Sequence, residues 1–312
     1  MKLILVEGIP GSGKSTTARF IALQSERNGH STELFHESAY RHPILIHEPI
    51  LIPNQWMETY LSNWDKFIKA YGDSDVTVVM EAVLLQAPIL RLLHLDLPKE
   101  VILSFIENLF SRLSENNCCF VFLYQEDPWV GINRMMNARG GKEWLTSTFE
   151  KYKHEPYYAN RSRKNPESHL DFLHEYAEVA RSAFVRCDLR SLAIDNTAWD
   201  WTSYHTKLLE YFGWSYVPDP IVPEAELAKY AGIYHNEELR ITVHVQVRGG
   251  QITVFGDQRV RVKVTHAFYM DNVSILIRFI IDPSGECNQF VVEEMDLIGN
   301  QKDEGTRFRR IS

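Results

Sequence analysis

The sequence predicts an α/β protein: a doubly wound parallel sheet over its first two thirds, then a second, smaller antiparallel β domain built as a barrel or a sandwich. Three observations predict it. Short unbroken apolar runs alternate with helix-period segments as far as Tyr216, which is how strands covered on both faces and their crossover helices read. Val217–Pro223, with three prolines, interrupts that alternation as a stiff connection. Beyond it strand follows strand, separated by Gly and Asp turns. The bounds that follow are 1–216 for the first domain, 217–223 for the linker and 224–312 for the second.

Taken in order, the strands of the first domain are expected at Leu3–Val6, Thr32–His36, Val76–Met80, Cys118–Tyr124 and Ser191–Ile194. Helices are expected at Ser15–Asn28, Gln55–Tyr71, Pro88–Leu93, Pro98–Glu115, Pro128–Ala138, Pro166–Val185 and Trp201–Phe212. Asp127-Pro128 and Asn165-Pro166 each offer a capping side chain followed by proline at the first helical position. In the second domain Arg240–Val247 alternates, Gly249-Gly250 makes a hairpin turn, and Gln251–Phe255 returns. Arg259–Thr265, Ser274–Ile281 and Gln289–Met295 follow, divided at Gly256-Asp257, Asp271-Asn272 and Asp282–Gly285.

The stretch Val6–Thr17 carries the most specific signal. It fills the pattern G-x-x-x-x-G-K-[ST] from Gly8 through Gly13, Lys14 and Ser15, between a strand and a helix. Backbone N–H groups hold polyphosphate oxygens, so side chains must be absent where the chain wraps them, at Gly8, Gly11 and Gly13. Ser12 and Thr16 complete the loop, and the following helix aims its N-terminus at the same phosphates. Lys14 is expected on the β- and γ-phosphates and Ser15 on Mg²⁺. Glu81, ending the third strand, is the carboxylate expected to hold Mg²⁺ directly or through water. The cofactors expected are therefore ATP and Mg²⁺.

These residues resemble the phosphate loop of the thymidylate-kinase and deoxynucleoside-kinase group of P-loop kinases, over roughly residues 1–215. Pro10 stands where thymidylate kinases tend to carry an acid, and Ala82 where related kinases often carry Arg after the acidic residue. The resemblance implies a general base at Glu37, just after the second strand, to take the acceptor's proton. Glu48 is the competing base. It also implies a lid in Arg134–Lys164, a locally basic segment, with Arg134 and Arg139 as the charge-stabilising arginines. Asp195-Asn196-Thr197, after the fifth strand, falls where such kinases often contact adenine.

Trp56, Tyr60, Trp64 and Phe67 share one helix face, read first as core and second as a wall for a flat substrate. His36, His42 and His47 have no metal-site spacing and read as loop histidines. Leu227–Tyr234 resembles, over a short motif, the β-rich module that follows some serine-hydrolase and β-lactamase-like domains, and no acid, histidine or cysteine cluster there points to separate chemistry. A binding, lid-supporting or dimerising role is expected for that domain.

Composition sets the outer limits. A net charge of −8 argues against a general nucleic-acid or membrane-surface binder. Four cysteines without ligand spacing fit a reducing cytoplasm. The four-residue apolar start runs straight into the loop and is no signal peptide. The function expected is ATP- and Mg²⁺-dependent transfer of the γ-phosphate to a hydroxyl or phosphate of a small molecule, nucleoside or nucleotide first, antibiotic or sugar second. A nucleotide-dependent switch or interaction module is the reading from another class, a nucleic-acid-end kinase is a third, and a homodimer is left open.

Overall fold

The structure is a computed structural model and describes the chain except residues 40–41, 48–49, 271–272, 274, 295–296 and 298–304. It divides into two units, Met1–Glu37 with Pro43–Ser215, and Ser38–His42 with Tyr216–Ser312. The short segment after Glu37 thus groups with the C-terminal unit, which the domain bounds read from sequence had placed in the first.

In the first unit the order is β1 (Lys2–Gly8), α1 (Lys14–Arg27), β2 (Thr32–Phe35), α2 (Pro53–Tyr71), β3 (Thr77–Glu81), α3 (Gln86–His94) and α4 (Lys99–Ser114). Then come β4 (Asn117–Tyr124), α5 (Pro128–Ala138), α6 (Lys142–Tyr152), α7 (Pro156–Asn160), α8 (Ser168–Val185), β5 (Arg190–Asp195) and α9 (Trp201–Phe212). The five strands form one parallel sheet in the order β2-β3-β1-β4-β5. Strand alternation sorts the two cores. Leu3 and Leu5 of β1, Val78 and Met80 of β3, and Phe120 and Phe122 of β4 pack with α2, α3, α4 and α8. Ile4, Val6, Val79, Val121 and Leu123 face the other way, onto α1 and α9. Connections leave β1 toward one edge and β4 toward the other, so the crevice at their carboxyl ends is the switch point where ligands bind in such sheets.

Two expectations shift. The helix anticipated from Pro166 begins at Ser168, because Asn165 closes a turn first: its Oδ1 accepts the Ser168 N–H at 3.2 Å. Asp127, by contrast, caps α5 directly, accepting the Trp129 N–H at 3.0 Å. The short helices α6 and α7 lie inside the segment read only as a basic lid; α6 buries just Leu145 and Phe149, too sparse an apolar face to show in sequence.

The second unit holds α10 (Glu224–Leu227), a 3₁₀ turn at Ala228–Tyr230, and β6 (Gly232–Asn236), β7 (Ile241–Arg248), β8 (Gln251–Val254) and β9 (Gln258–Val264). It continues with β10 (Ala267–Tyr269), β11 (Leu276–Ile281), β12 (Cys287–Glu293) and β13 (Thr306–Arg310). The eight strands close a barrel, β10-β11-β12-β13-β6-β7-β8-β9, each pair antiparallel. Sequence left barrel and sandwich open; pairing of β9 with β10 decides for the barrel. The two-residue turn at Gly249-Gly250 has both residues left-handed, at φ 57° and 71°, as a twisted hairpin demands. Aromatics fill the interior: Phe290 stacks on Phe308 at 4.8 Å between centroids, and Phe279 on Tyr230 at 4.6 Å. Strands β6, β10 and β13 were not anticipated; they are short or, as with β13, dominated by arginine on the outer face.

Phe279 touches four aromatic neighbours, Tyr230, Tyr234, Phe268 and Phe290. Phe279→Ala is expected to destabilise the barrel by about 3–5 kcal/mol, read as a lower urea midpoint for hydrogen exchange of the β11 and β12 amides.

Candidate functional site

The parity of β1 continues past its apolar run. Leu3 and Leu5 face the α2–α4 side, so Glu7 is carried inward on that side and is fully buried. Its two oxygens accept the backbone N–H groups of Leu84 at 2.5 Å and Gln86 at 3.0 Å. Burial outweighs those bonds and the nearby Lys14 charge, and pushes the carboxyl up to about 7.

The loop Gly8–Gly13 is packed so tightly that its glycines are sterically required. A β-carbon on Gly8 would stand 2.6 Å from Ser12 Oγ, and one on Gly11 would stand 2.6 Å from the β-carbon of Met135 on α5. Gly13, left-handed at φ 87°, leaves no room because the Trp201 indole covers it. The loop closes on itself through the Ser12 N–H to the Ile9 carbonyl at 3.0 Å. Lys14, nearly buried, donates from Nζ to that same carbonyl at 3.0 Å. A cation held inside a glycine-rich loop is an arrangement for anionic oxygens.

Beside Lys14, Ser15 Oγ donates to Glu81 Oε1 at 3.0 Å. His36 Nε2 stands 2.6 Å from the same oxygen and 3.2 Å from Ser15 Oγ. Burial raises the Glu81 carboxyl, but bonds from His36 and Ser15 and the charge of Lys14 hold it below its ordinary range. Its other oxygen, Oε2, is buried without a hydrogen-bond partner. A lone carboxylate oxygen beside a serine hydroxyl fits a hard divalent cation that keeps most of its shell from water and phosphate. Among the described residues no group of three or more His, Cys, Asp or Glu could hold a metal by itself.

Glu37 lies two residues beyond β2, exposed, with its Oε2 accepting from Gln86 Nε2 at 2.5 Å. Tyr176 of α8 donates from its hydroxyl to the Gly8 carbonyl at 2.9 Å, and the charges of Glu7 and Glu37 add to the burial that raises its phenol. The structure therefore gathers Gly8, Lys14, Ser15, Glu37 and Glu81 at one end of the sheet. Glu48 lies outside the described residues.

On the other flank Asn196, fully buried, donates from Nδ2 to the Ser12 carbonyl and accepts from Gln125 Nε2. It anchors the loop from behind, while Asp195 and Thr197 stay more open. Arg134 donates from Nη2 to the Thr197 carbonyl at 2.9 Å and lies 4.5 Å over the exposed Trp199 ring. Arg139 stacks on Trp144 at 5.6 Å. Neither guanidinium is brought to Lys14 or Glu81 by a contact. The stripe Trp56, Tyr60, Trp64 and Phe67 is core, none more than 5% exposed. His42 is buried and His47 exposed.

Sequence reading missed three members. His36 was read as a loop histidine, whereas the end of β2 delivers it to Glu81. Gln86 and Glu7 carried no pattern beyond their place after a strand and before Gly8; the parity of β1 was the signal available for Glu7.

No protein-family model matches the chain, and no curated protein matches it. Among solved structures, the YorR protein from Bacillus subtilis in complex with phosphorylated GDP is similar at 15% identity and TM-score 0.36, over 68% of this chain and 96% of that one. Deoxyadenosine kinase from M. mycoides with bound dATP is similar at 17% identity and TM-score 0.38, over 68% of this chain and 100% of that one.

Because the Glu7 carboxyl lies higher in the folded chain than its ordinary 4.5, the folded state holds a proton there that the unfolded state has released. Its contribution is most favourable below pH 4.5 and is lost as pH rises to about 7. Glu7→Gln removes that dependence, so the stability difference between variant and wild type should move by roughly 3 kcal/mol in the variant's favour from pH 4.5 to pH 8, in chemical denaturation at each pH.

Proposed function

We propose that the protein is a phosphotransferase that moves the γ-phosphoryl group of ATP to a small-molecule acceptor. The observation that carries this reading is the convergence of Lys14, Ser15 and Glu81 at the end of the sheet, with Ser15 Oγ 3.0 Å from a buried carboxylate that has an oxygen to spare. Ser15 and Glu81 would hold Mg²⁺, which when bound neutralises charge on the β- and γ-phosphates.

The chain's own residues do the rest. The Gly8, Gly11, Ser12 and Gly13 backbone, with Thr16 at the start of α1, cradles the donor. Lys14 releases the Ile9 carbonyl to pair with phosphate oxygen. Glu37, exposed at the edge of β2, accepts the proton as the acceptor oxygen bonds to the γ-phosphorus and the bridging bond to ADP breaks. Catalysis of this kind needs positioning and charge compensation more than covalent help. Arg134, held on Thr197 and Trp199, serves the nucleotide flank, and Arg139 is the remaining lid candidate for charge stabilisation. The loop's resemblance favours a nucleoside or nucleotide as acceptor.

Lys14→Ala should lower transfer from γ-labelled ATP by about 10³-fold. Glu37→Gln should leave ATP binding by calorimetry unchanged and lower transfer by about 10²- to 10⁴-fold. Label released only as inorganic phosphate, with none on any molecule of a metabolite pool, would overturn the reading.

A further inference from the structure

We propose that Glu7 and Gln86 are positioning residues that aim the acceptor-side carboxylate: Glu7 clamps the turn after β3, and Gln86, delivered by that turn, orients Glu37. The inference rests on the phosphotransfer reading above and adds to it a structural lever in the residue just before the loop.

The turn is built under strain. Ala82, directly after Glu81, is left-handed at φ 62°, a conformation that costs a residue with a β-carbon about 1–3 kcal/mol and persists only where neighbours over-determine it. Those neighbours are specific. The Ala82 N–H donates to the Val6 carbonyl at 3.1 Å, and the Val83 carbonyl accepts from the buried Tyr60 hydroxyl. The next two bonds are the Leu84 and Gln86 N–H groups on the two oxygens of Glu7. A single carboxylate thus spans the turn and closes it onto the central strand. Gln86 is the first residue of α3, where N–H groups have no partner within the helix, so Glu7 also satisfies a donor that would otherwise be orphaned in the interior.

The side chain of Gln86 then carries the arrangement forward. Its Nε2 donates to Glu37 Oε2 at 2.5 Å, and the direction is forced because a carboxylate only accepts. Glu37 is exposed, and this amide bond is what fixes the direction of its carboxylate. The groups facing Glu7 fit a fixed role. Lys14 supplies the nearby positive charge, while Tyr60 and Tyr176, both fully buried, have their phenols pushed well above the ordinary range, so neither competes as a proton source.

Two variants test this. Gln86→Leu keeps the backbone N–H on Glu7 and removes only the bond to Glu37; Glu7→Gln breaks the clamp. Both should lower kcat by about 10- to 100-fold while the KM for ATP stays within about twofold. The double variant should be no slower than the slower single, because both act through one chain of bonds. In hydrogen-exchange mass spectrometry with residue resolution, Glu7→Gln should speed exchange at Leu84 and Gln86 by about tenfold, and Gln86→Leu should not. If Glu7→Gln does not fold, Gln86→Leu decides alone. Wild-type kcat in Gln86→Leu, or losses that multiply in the double variant, overturns the positioning role and leaves phosphotransfer standing. A wild-type protein that transfers nothing overturns both, so the two failures are told apart by the wild-type assay.

Discussion

The central strand β1 is covered on both faces, and most of the first unit follows from that. Alternate residues must enter different cores, so a strand of this kind has no solvent side on which to place a polar group. Where the apolar run stops, Glu7 still falls on an inward position, and the chain leaves the sheet only after Gly8. The buried acid therefore needs donors, and the turn after the neighbouring strand supplies them. Glu81, at the end of that neighbouring strand, faces the other side by the same alternation and finds Ser15 and His36. Two carboxylates on adjacent strand ends thus look to opposite layers, with Lys14 between them as the shared positive charge.

The loop after β1 keeps its shape by contact with side chains rather than by its own preference. Leu123, Met135 and Trp201 press on Gly8, Gly11 and Gly13 from β4, α5 and α9, and Asn196, just past the end of β5, holds the Ser12 carbonyl. Residues more than a hundred positions away from the loop in sequence share the task. Such a loop is preorganised: the entropy of ordering it has been lost on folding.

The second unit solves a different problem. An open antiparallel sheet of this length would expose two edges; closure of β9 onto β10 removes them and lets aromatic side chains fill the interior. Its core is built around Tyr230, Phe279, Phe290 and Phe308. Among the described residues no helix is long and apolar enough to cross a membrane.

The alternating texture, the glycine-rich loop between strand and helix, and the shift to strands after the prolines were all local features, and local chemistry carried them into the fold. Residues whose position depends on a strand end, such as Glu37 and Glu81, were legible for the same reason: once a strand is recognised, its last residue and the one or two beyond it are placed at the sheet's edge. The parts played by His36 and Gln86, and the bond of Asn196 to the loop, were not, because each acts through a partner 21 to 184 residues away. The arginines show the limit from the other side: composition marked a basic segment, but only packing decided that Arg134 turns to Thr197 and Trp199 and Arg139 to Trp144. By itself, then, the sequence determined most of the strands, the glycine-rich loop between β1 and α1 and which carboxylates stand at the edge, since propensity and periodicity act over a few residues. The tertiary structure alone decided that the barrel closes, that glycines are needed where Trp201 and Met135 intrude, and that Glu7 reaches Glu37 through Gln86, because those depend on distances no local pattern encodes.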